Sequence, residues 1–238
     1  MWQKGIKIMT LKTIATSSDG NSFILTSDSD KHLMIEAGLP IGELKKGLDF
    51  DIENWQGLVT SHGHSDHSLS ADKIRKMGIP VWEPYKDTEH KRLRTRLGDF
   101  QINSFPVPHN GCENRGFIIE ADGQKICFLI DLEYCPYDLS KQDINVLIVE
   151  CNYISDMIPD DLPNIQHKVI GHCCLDTTIG IIQNCQKHLR KVILTHMSKG
   201  STFNKDIAMK RIIEAIPAYI EVEYATEGKV IDLSEIPF

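Results

Sequence analysis

Apolar and polar residues alternate in short runs along the first part of the chain, and turn-forming residues separate the runs; this is the pattern of half-buried β-strands. Residues 11–17, 22–27 and 32–37 read as consecutive strands, with Ser18-Asp19-Gly20-Asn21 as a strong turn signal between the first two. A fourth strand over 57–61 leads straight into a histidine-rich segment. Residues 68–77 have helical spacing and stop at Gly78, and Val81-Trp82 begins another short strand. Runs at 99–108, 115–121 and 124–130 form a meander, with Asp122-Gly123 as a hairpin turn. Later the period changes. Residues 145–149 and 192–194 are unbroken apolar runs, as in strands buried on both faces. Residues 176–188 and 204–216 are helical by spacing, the first marked by Ile179, Ile182, Cys185 and Leu189. Strands near 220–225 and 229–233 close the chain. Two sheets packed together with helices outside would bury all of these faces.

At 238 residues the chain fits one large domain, 1–238, with no linker, repeat or low-complexity tract. Hydrophobic residues at 41% and charged residues at 25% are ordinary for a soluble globular protein. A chain of this length buries roughly 70% of its unfolded surface without disulfide help. The seven cysteines are odd in number and follow no paired framework, so a reducing compartment is expected. No segment has the form of a signal peptide or reaches the ~20 apolar residues that span a bilayer. The reading is a cytoplasmic protein with no membrane partner.

The net charge of −7 argues against broad adhesion to nucleic acid. His90-Lys91-Arg92-Leu93-Arg94-Thr95-Arg96 departs from that balance, with four of the 26 basic residues in six positions. A solvated helix face accounts for it, and contact with a phosphate backbone is the alternative.

The candidate chemistry concentrates in Thr60-Ser61-His62-Gly63-His64-Ser65-Asp66-His67. His62 and His64 are two apart where a strand ends, so on extended backbone both imidazoles point the same way and reach one cation. Asp66 and His67 follow where the chain turns into a helix, and they face a second cation. Four ligand-type residues in six positions exceed the ~3–4 protein ligands of a single zinc ion. One histidine there would read as a loop residue; three with an aspartate, straight after an apolar strand, point to metal. Further ligand types end other strand candidates. His109 follows Phe105-Pro106-Val107-Pro108, Asp131 follows Ile126-Cys127-Phe128-Leu129-Ile130, and His196 follows Val192-Ile193-Leu194-Thr195. Each alone is as easily a loop residue, but strand ends on one sheet edge converge on one crevice, and the shared placement raises all three together. A carboxylate such as Asp131 can bridge two cations.

In this ordered set the chain resembles the metallo-β-lactamase-fold superfamily. The family signature is His-x-His-x-Asp-His, then a distant His, an Asp and a final His, matched here by His62, His64, Asp66, His67, His109, Asp131 and His196. The resemblance runs from about Thr16 to Val230 and implies an α/β fold, a four-layer αββα sandwich with a two-metal site at one sheet edge. Smaller features are similar to the small bacterial phosphodiesterase and nuclease branch, which is ribonuclease Z-like. They are Ser17-Ser18-Asp19-Gly20-Asn21-Ser22, Glu150-Cys151-Asn152-Tyr153, Gly171-His172 and Leu194-Thr195-His196-Met197-Ser198. In that branch the first histidine assists phosphodiester cleavage and the second binds metal, roles carried here to His172 and His196. The chain departs from the family pattern at Glu36, where aspartate is usual, at Cys173-Cys174-Leu175, where small polar residues are expected, and at Asn110, where aspartate is frequent.

The resemblance implies His62, His64 and His109 on one divalent ion, Asp66, His67 and His196 on a second, and Asp131 between them. Zinc is expected, with manganese or iron as other ions that such ligands accept. A hydroxide between the ions would be the nucleophile, because zinc lowers the pKa of bound water from about 15.7 to about 7. Asp66 would orient that water or take its proton, and His172 would protonate the leaving oxygen. Two divalent ions, two carboxylates and a hydroxide leave about +1, which suits an anionic substrate. The expected activity is a metal-dependent hydrolase: a phosphodiesterase or nuclease acting on nucleic acid or a small phosphodiester. A lactone, thioester or other carboxylic-ester hydrolase on the same fold is the alternative. The free cysteines disfavour a true β-lactamase, and seven retained ligand types disfavour a non-catalytic binding protein. Oligomeric state is not legible.

Overall fold

The computed structural model describes residues 8–87, 93–159 and 169–234. In chain order the elements are β1 (Thr10–Ser17), β2 (Gly20–Thr26), β3 (His32–Ile35), α1 (Ile41–Gly47), β4 (Trp55–Val59), α2 (Ser65–Ser68), α3 (Ala71–Lys76), β5 (Val81–Trp82) and β6 (Arg94–Leu97). There follow β7 (Phe100–His109), β8 (Cys112–Ala121), β9 (Gln124–Leu129), β10 (Val146–Glu150), α4 (Leu175–Cys185), β11 (Lys191–Thr195), α5 (Lys205–Ala215), β12 (Glu221–Tyr224) and β13 (Val230–Asp232). They fall into two compact units. The first runs to Asn103 and includes Glu120–Gln124 and the chain from Thr226; the second takes Ser104–Ile119 and Lys125–Ala225.

In the first unit the strands lie in the order β13-β1-β2-β3-β4-β5. The β1–β2–β3 meander is antiparallel, but β3 and β4 run parallel. That parallel pairing sets the ends of β3 and β4 side by side, and the histidine segment starts there. The core beneath is Ile24, Met34, Leu44, Leu58 and Ile74. β3 stops two residues earlier than expected because Glu36 takes a left-handed conformation with φ of 63°. Helix α1 was not anticipated. It buries only Leu44 and carries glycine at both 42 and 47, so it shows no apolar stripe and has poor intrinsic propensity.

The basic stretch is corrected in part. Residues Arg94–Leu97 form a strand rather than a solvated helix face, with Arg94 and Arg96 exposed and Leu97 buried. Their partners are Asn103 opposite Arg94 and Phe100 opposite Leu97. His90, Lys91 and Arg92 lie outside the described residues.

In the second unit β12, β11, β10, β9, β8 and β7 are neighbours in that order. β10 is parallel to both β9 and β11, and every one of its residues is buried. An all-apolar run is what a parallel strand covered on both faces requires. Leu147 and Val149 pack in a core with Ile181 and Ile182 of α4 and Ala208 and Ile212 of α5. Each helix starts on a side-chain cap, which answers an otherwise orphaned backbone donor: Cys174 Sγ accepts from Thr177 N–H, and Asn204 Oδ1 accepts from Ile207 N–H at 3.1 Å. Pro217 lies just beyond α5, where a helix cannot continue. The expected hairpin at Asp122-Gly123 forms, with φ of 51° and 72°, as a two-residue turn of positive φ demands. Among the described residues no helix is long and apolar enough to cross a membrane.

Leu147 of β10 is fully buried in the core it shares with α4 and α5. Leu147→Ala is expected to cost about 2–5 kcal/mol. A urea-unfolding midpoint unchanged from wild type would show that this core does not carry the second unit.

Candidate metal centre

Each unit gathers ligand-type side chains at its strand ends. In the first unit the key contact is made by Glu36, which follows β3. Its buried carboxylate accepts the Ser61 N–H at 3.1 Å (Oε1) and 3.3 Å (Oε2), and its Oε2 lies 3.3 Å from His67 Nδ1. With Nδ1 turned toward that carboxylate, Nε2 is the ring atom that faces the other ligand-type groups. Asp66 Oδ2 lies 3.3 Å from that Nε2, and the Asn21 amide is 3.1 Å from it. His62 Nδ1 meets Ser61 Oγ at 2.9 Å, while its Nε2 is 3.0 Å from His64 Nδ1. The His62 ring lies 4.6 Å from that of His64 and 4.2 Å from that of His67. Two nitrogens at zinc-ligand distance on a tetrahedral ion stand about 3.3 Å apart. The His62–His64 and Asp66–His67 spacings therefore each fit a pair of ligands on a cation.

The backbone around these residues is laced to the chain after β3. Ala37 N–H donates to His67 O at 2.7 Å, and Ser70 N–H donates to Ala37 O at 3.0 Å. Asn21 Nδ2 reaches Ser17 O at 3.0 Å and Asp66 O at 3.5 Å, which gives the glycine-turn segment a task at the site. Gly38 is packed so closely that a Cβ there would lie 1.7 Å from the Asp66 carbonyl oxygen.

In the second unit Glu150, at the end of β10, is the organiser. Oε2 accepts from Leu132 N–H at 3.1 Å and from Cys173 N–H at 3.5 Å, and Oε1 faces His172 Nδ1 at 2.6 Å and His196 Nδ1 at 2.9 Å. His196 Nδ1 is also 2.9 Å from Asp131 Oδ1. His109, the last residue of β7, donates its Nδ1–H to Gly171 O at 2.7 Å, and its Nε2 lies 3.8 Å from Asp131 Oδ2. Amides steady the ligand backbone: Asn114 donates to the carbonyls of Ile130 (3.1 Å) and Asp131, and Asn152 to that of His196 at 2.9 Å. Donor atoms of Asp131, Glu150, His172 and His196 all lie within 4.8 Å of one another.

Burial and charge compete in this cluster. Burial alone would raise the Glu150 carboxyl, yet His172 and His196 hold it below the ordinary carboxylate range. Burial lowers His172, but the Glu150 charge and hydrogen bond more than offset it and leave the imidazole more basic than usual. His196 is pushed up to about 10, against its burial, by Asp131 and Glu150. His109 moves the other way, because burial outweighs Asp131.

All eight site residues expected from the sequence sit in these clusters: His62, His64, Asp66 and His67 in the first unit, and His109, Asp131, His172 and His196 in the second. Sequence reasoning missed the jobs of Glu150, Asn21, Asn114 and Asn152. A signal existed for Glu150, a carboxylate ending five consecutive buried residues. The departures also find roles. Cys173 is buried with its thiol on Glu133 O at 3.7 Å, where burial pushes it well above the ordinary thiol range. Cys174 supplies the cap of α4. All seven cysteines are free thiols.

The beta-lactamase superfamily domain matches residues 46–197, more than half of the chain, and the chain belongs to that family. Exodeoxyribonuclease YycJ of Bacillus anthracis is 23% identical over 233 aligned residues, which cover 85% of this chain and 87% of that protein. The metallo-beta-lactamase fold protein YhfI from Bacillus subtilis superposes with a TM-score of 0.72 at 17% identity, over 95% of this chain and 99% of that one. Human tRNase Z, short form, superposes with a TM-score of 0.62 at 14% identity, over 95% of this chain and all of that one (100%). These likenesses show the fold: the α/β, αββα class expected from the ordered ligand set.

Gly38→Ala is expected to push the Asp66–His67 turn off the chain after β3. The measurable outcome is a lower thermal midpoint together with loss of bound metal; a variant that keeps full metal stoichiometry would show that this close approach does not position the ligands.

Proposed function

We propose that the protein is a metal-dependent phosphodiesterase, a nuclease acting on nucleic acid, with the two-metal centre that its ordered ligand set implies. His62, His64 and His109 would hold one ion, Asp66, His67 and His196 the other, with Asp131 bridging; zinc suits this set of imidazoles and carboxylates. The chemistry such ions supply when bound is polarisation of a phosphoryl oxygen and a source of hydroxide near neutral pH.

The observation that carries the reading is the Glu150–His172 contact at 2.6 Å. Glu150 holds the Nδ1–H of His172 and stabilises its imidazolium, so Nε2 carries the proton that the leaving alkoxide needs. Asp66 accepts a hydrogen bond from the attacking water and orients it. The names of the relatives, an exodeoxyribonuclease and a tRNase Z, support a phosphodiester as substrate. Seven free thiols suit a reducing compartment, and we assign the protein to the cytoplasm.

Asp131→Ala is expected to abolish both bound metal and cleavage of single-stranded DNA, measured by elemental analysis and a nuclease assay. A mutant with normal metal and full activity would sink the two-metal centre. His172→Ala is expected to keep its metal and lose about 10²–10⁴ in kcat on an oligonucleotide. The loss should be far smaller on bis-p-nitrophenyl phosphate, whose phenolate leaves without a proton. Equal losses on both substrates would remove His172 from the acid role. Hydrolysis of a lactone or a glutathione thioester, with none of either phosphodiester, would replace the reading with a carboxylic-ester hydrolase.

A further inference from the structure

The segment after Asp131 and one face of α4 line a cavity of about 280 Å³ that the chemistry above does not use. Its walls include Tyr134, Tyr137, Leu139, Thr177, Gly180 and Ile181, and among the described residues no charged one lines it. Tyr134 and Tyr137 are 53% and 43% exposed, so both rings stand at the mouth. Tyr137 is held edge-on against Phe105, with ring centroids 5.4 Å apart.

The cavity is fixed to the ligand cluster at one end and to the helix at the other. Glu133, next to Tyr134, donates its N–H to Pro108 O at 2.9 Å and accepts the Asn110 N–H on Oε1 at 2.9 Å. Those partners flank the ligand His109. At the far end, Leu139 N–H donates to Asn184 Oδ1 of α4 at 2.6 Å. A cavity lined by uncharged residues with two aromatic rings at its mouth offers no cation to pair with a phosphate. It suits a flat, uncharged heteroaromatic ring, which stacks on tyrosine whatever its identity.

We propose that this cavity seats a nucleobase of the substrate strand, beside the phosphate undergoing cleavage; the inference rests on the phosphodiesterase reading. Base identity matters little there, because stacking uses the ring face rather than its edge.

The test compares substrates with and without a base. Wild-type metal-loaded enzyme should hydrolyse thymidine 5′-p-nitrophenyl phosphate with a kcat/KM at least tenfold above that for methyl p-nitrophenyl phosphate. It should also bind an eight-nucleotide oligothymidine tighter than an abasic strand of the same length. The double variant Tyr134→Ala/Tyr137→Ala should erase both preferences through KM while leaving methyl p-nitrophenyl phosphate turnover unchanged; the two phenylalanine substitutions should restore them. Gly180→Phe gives an independent arm. Gly180 lines the cavity and a Cβ there meets nothing within 4 Å, so the phenylalanine variant is expected to block the base. Base preference retained in both the alanine double variant and Gly180→Phe would overturn the proposal. If wild type hydrolyses neither phosphodiester, the phosphodiesterase reading fails instead. If the variants instead lose hydrolysis of an acyl thioester, the cavity holds an acyl chain and the nucleobase assignment is wrong.

Discussion

A carboxylate sealed from water is tolerable only when hydrogen-bond donors replace its hydration. Each unit is organised around one such group. Glu36 is fully buried and takes the Ser61 N–H, with the His67 imidazole 3.3 Å away. Glu150 is fully buried and takes two backbone N–H groups and two imidazoles. Each carboxylate thus ties strand ends that are distant in sequence to the histidines they present. The ligand geometry follows from satisfying these two charges, and the longer Glu36 side chain meets that demand where aspartate is usual in the family.

Much of the fold was legible because its signals are local. Short strand-like runs and the turn signal at Ser18-Asp19-Gly20-Asn21 marked the β1–β2–β3 meander, and unbroken apolar runs marked β10 and β11. The ligand order from His62 to His196 was legible because four ligand types crowd the segment after β4 and His109, Asp131 and His196 each lie at or just beyond a strand end. What stayed hidden was non-local or lacked contrast. Helix α1 buries one side chain and so offers no pattern. The strand Arg94–Leu97 carries two arginines that read as a solvated helix until its pairing with β7 is seen. The service of Glu150 to His172 and His196 spans 22 and 46 residues of chain, which no spacing rule reaches.

The amides show how little of the site is metal ligand. Asn21, Asn114 and Asn152 hold carbonyls of Asp66, Asp131 and His196 through their side-chain nitrogens. Such partners usually matter to metal affinity almost as much as the ligands do. His196 is held twice, at its side chain by the Glu150 carboxylate and at its backbone carbonyl by the Asn152 amide.

The left-handed strand ends have a further consequence. Glu36, Asn110, Asp131 and His196 all have φ between 42° and 63°. A kink there aims a side chain that would otherwise continue the pleat. Asparagine, aspartate and histidine enter this conformation far more readily than other side chains, and β-branched residues nearly never do. The backbone therefore screens which substitutions these positions can sample before metal chemistry is ever tested. At Asp131 and His196, asparagine or glycine would keep the kink and remove the carboxylate or imidazole. A descendant of this protein that lost its catalysis would be expected to show that trace at these positions, with its strands intact.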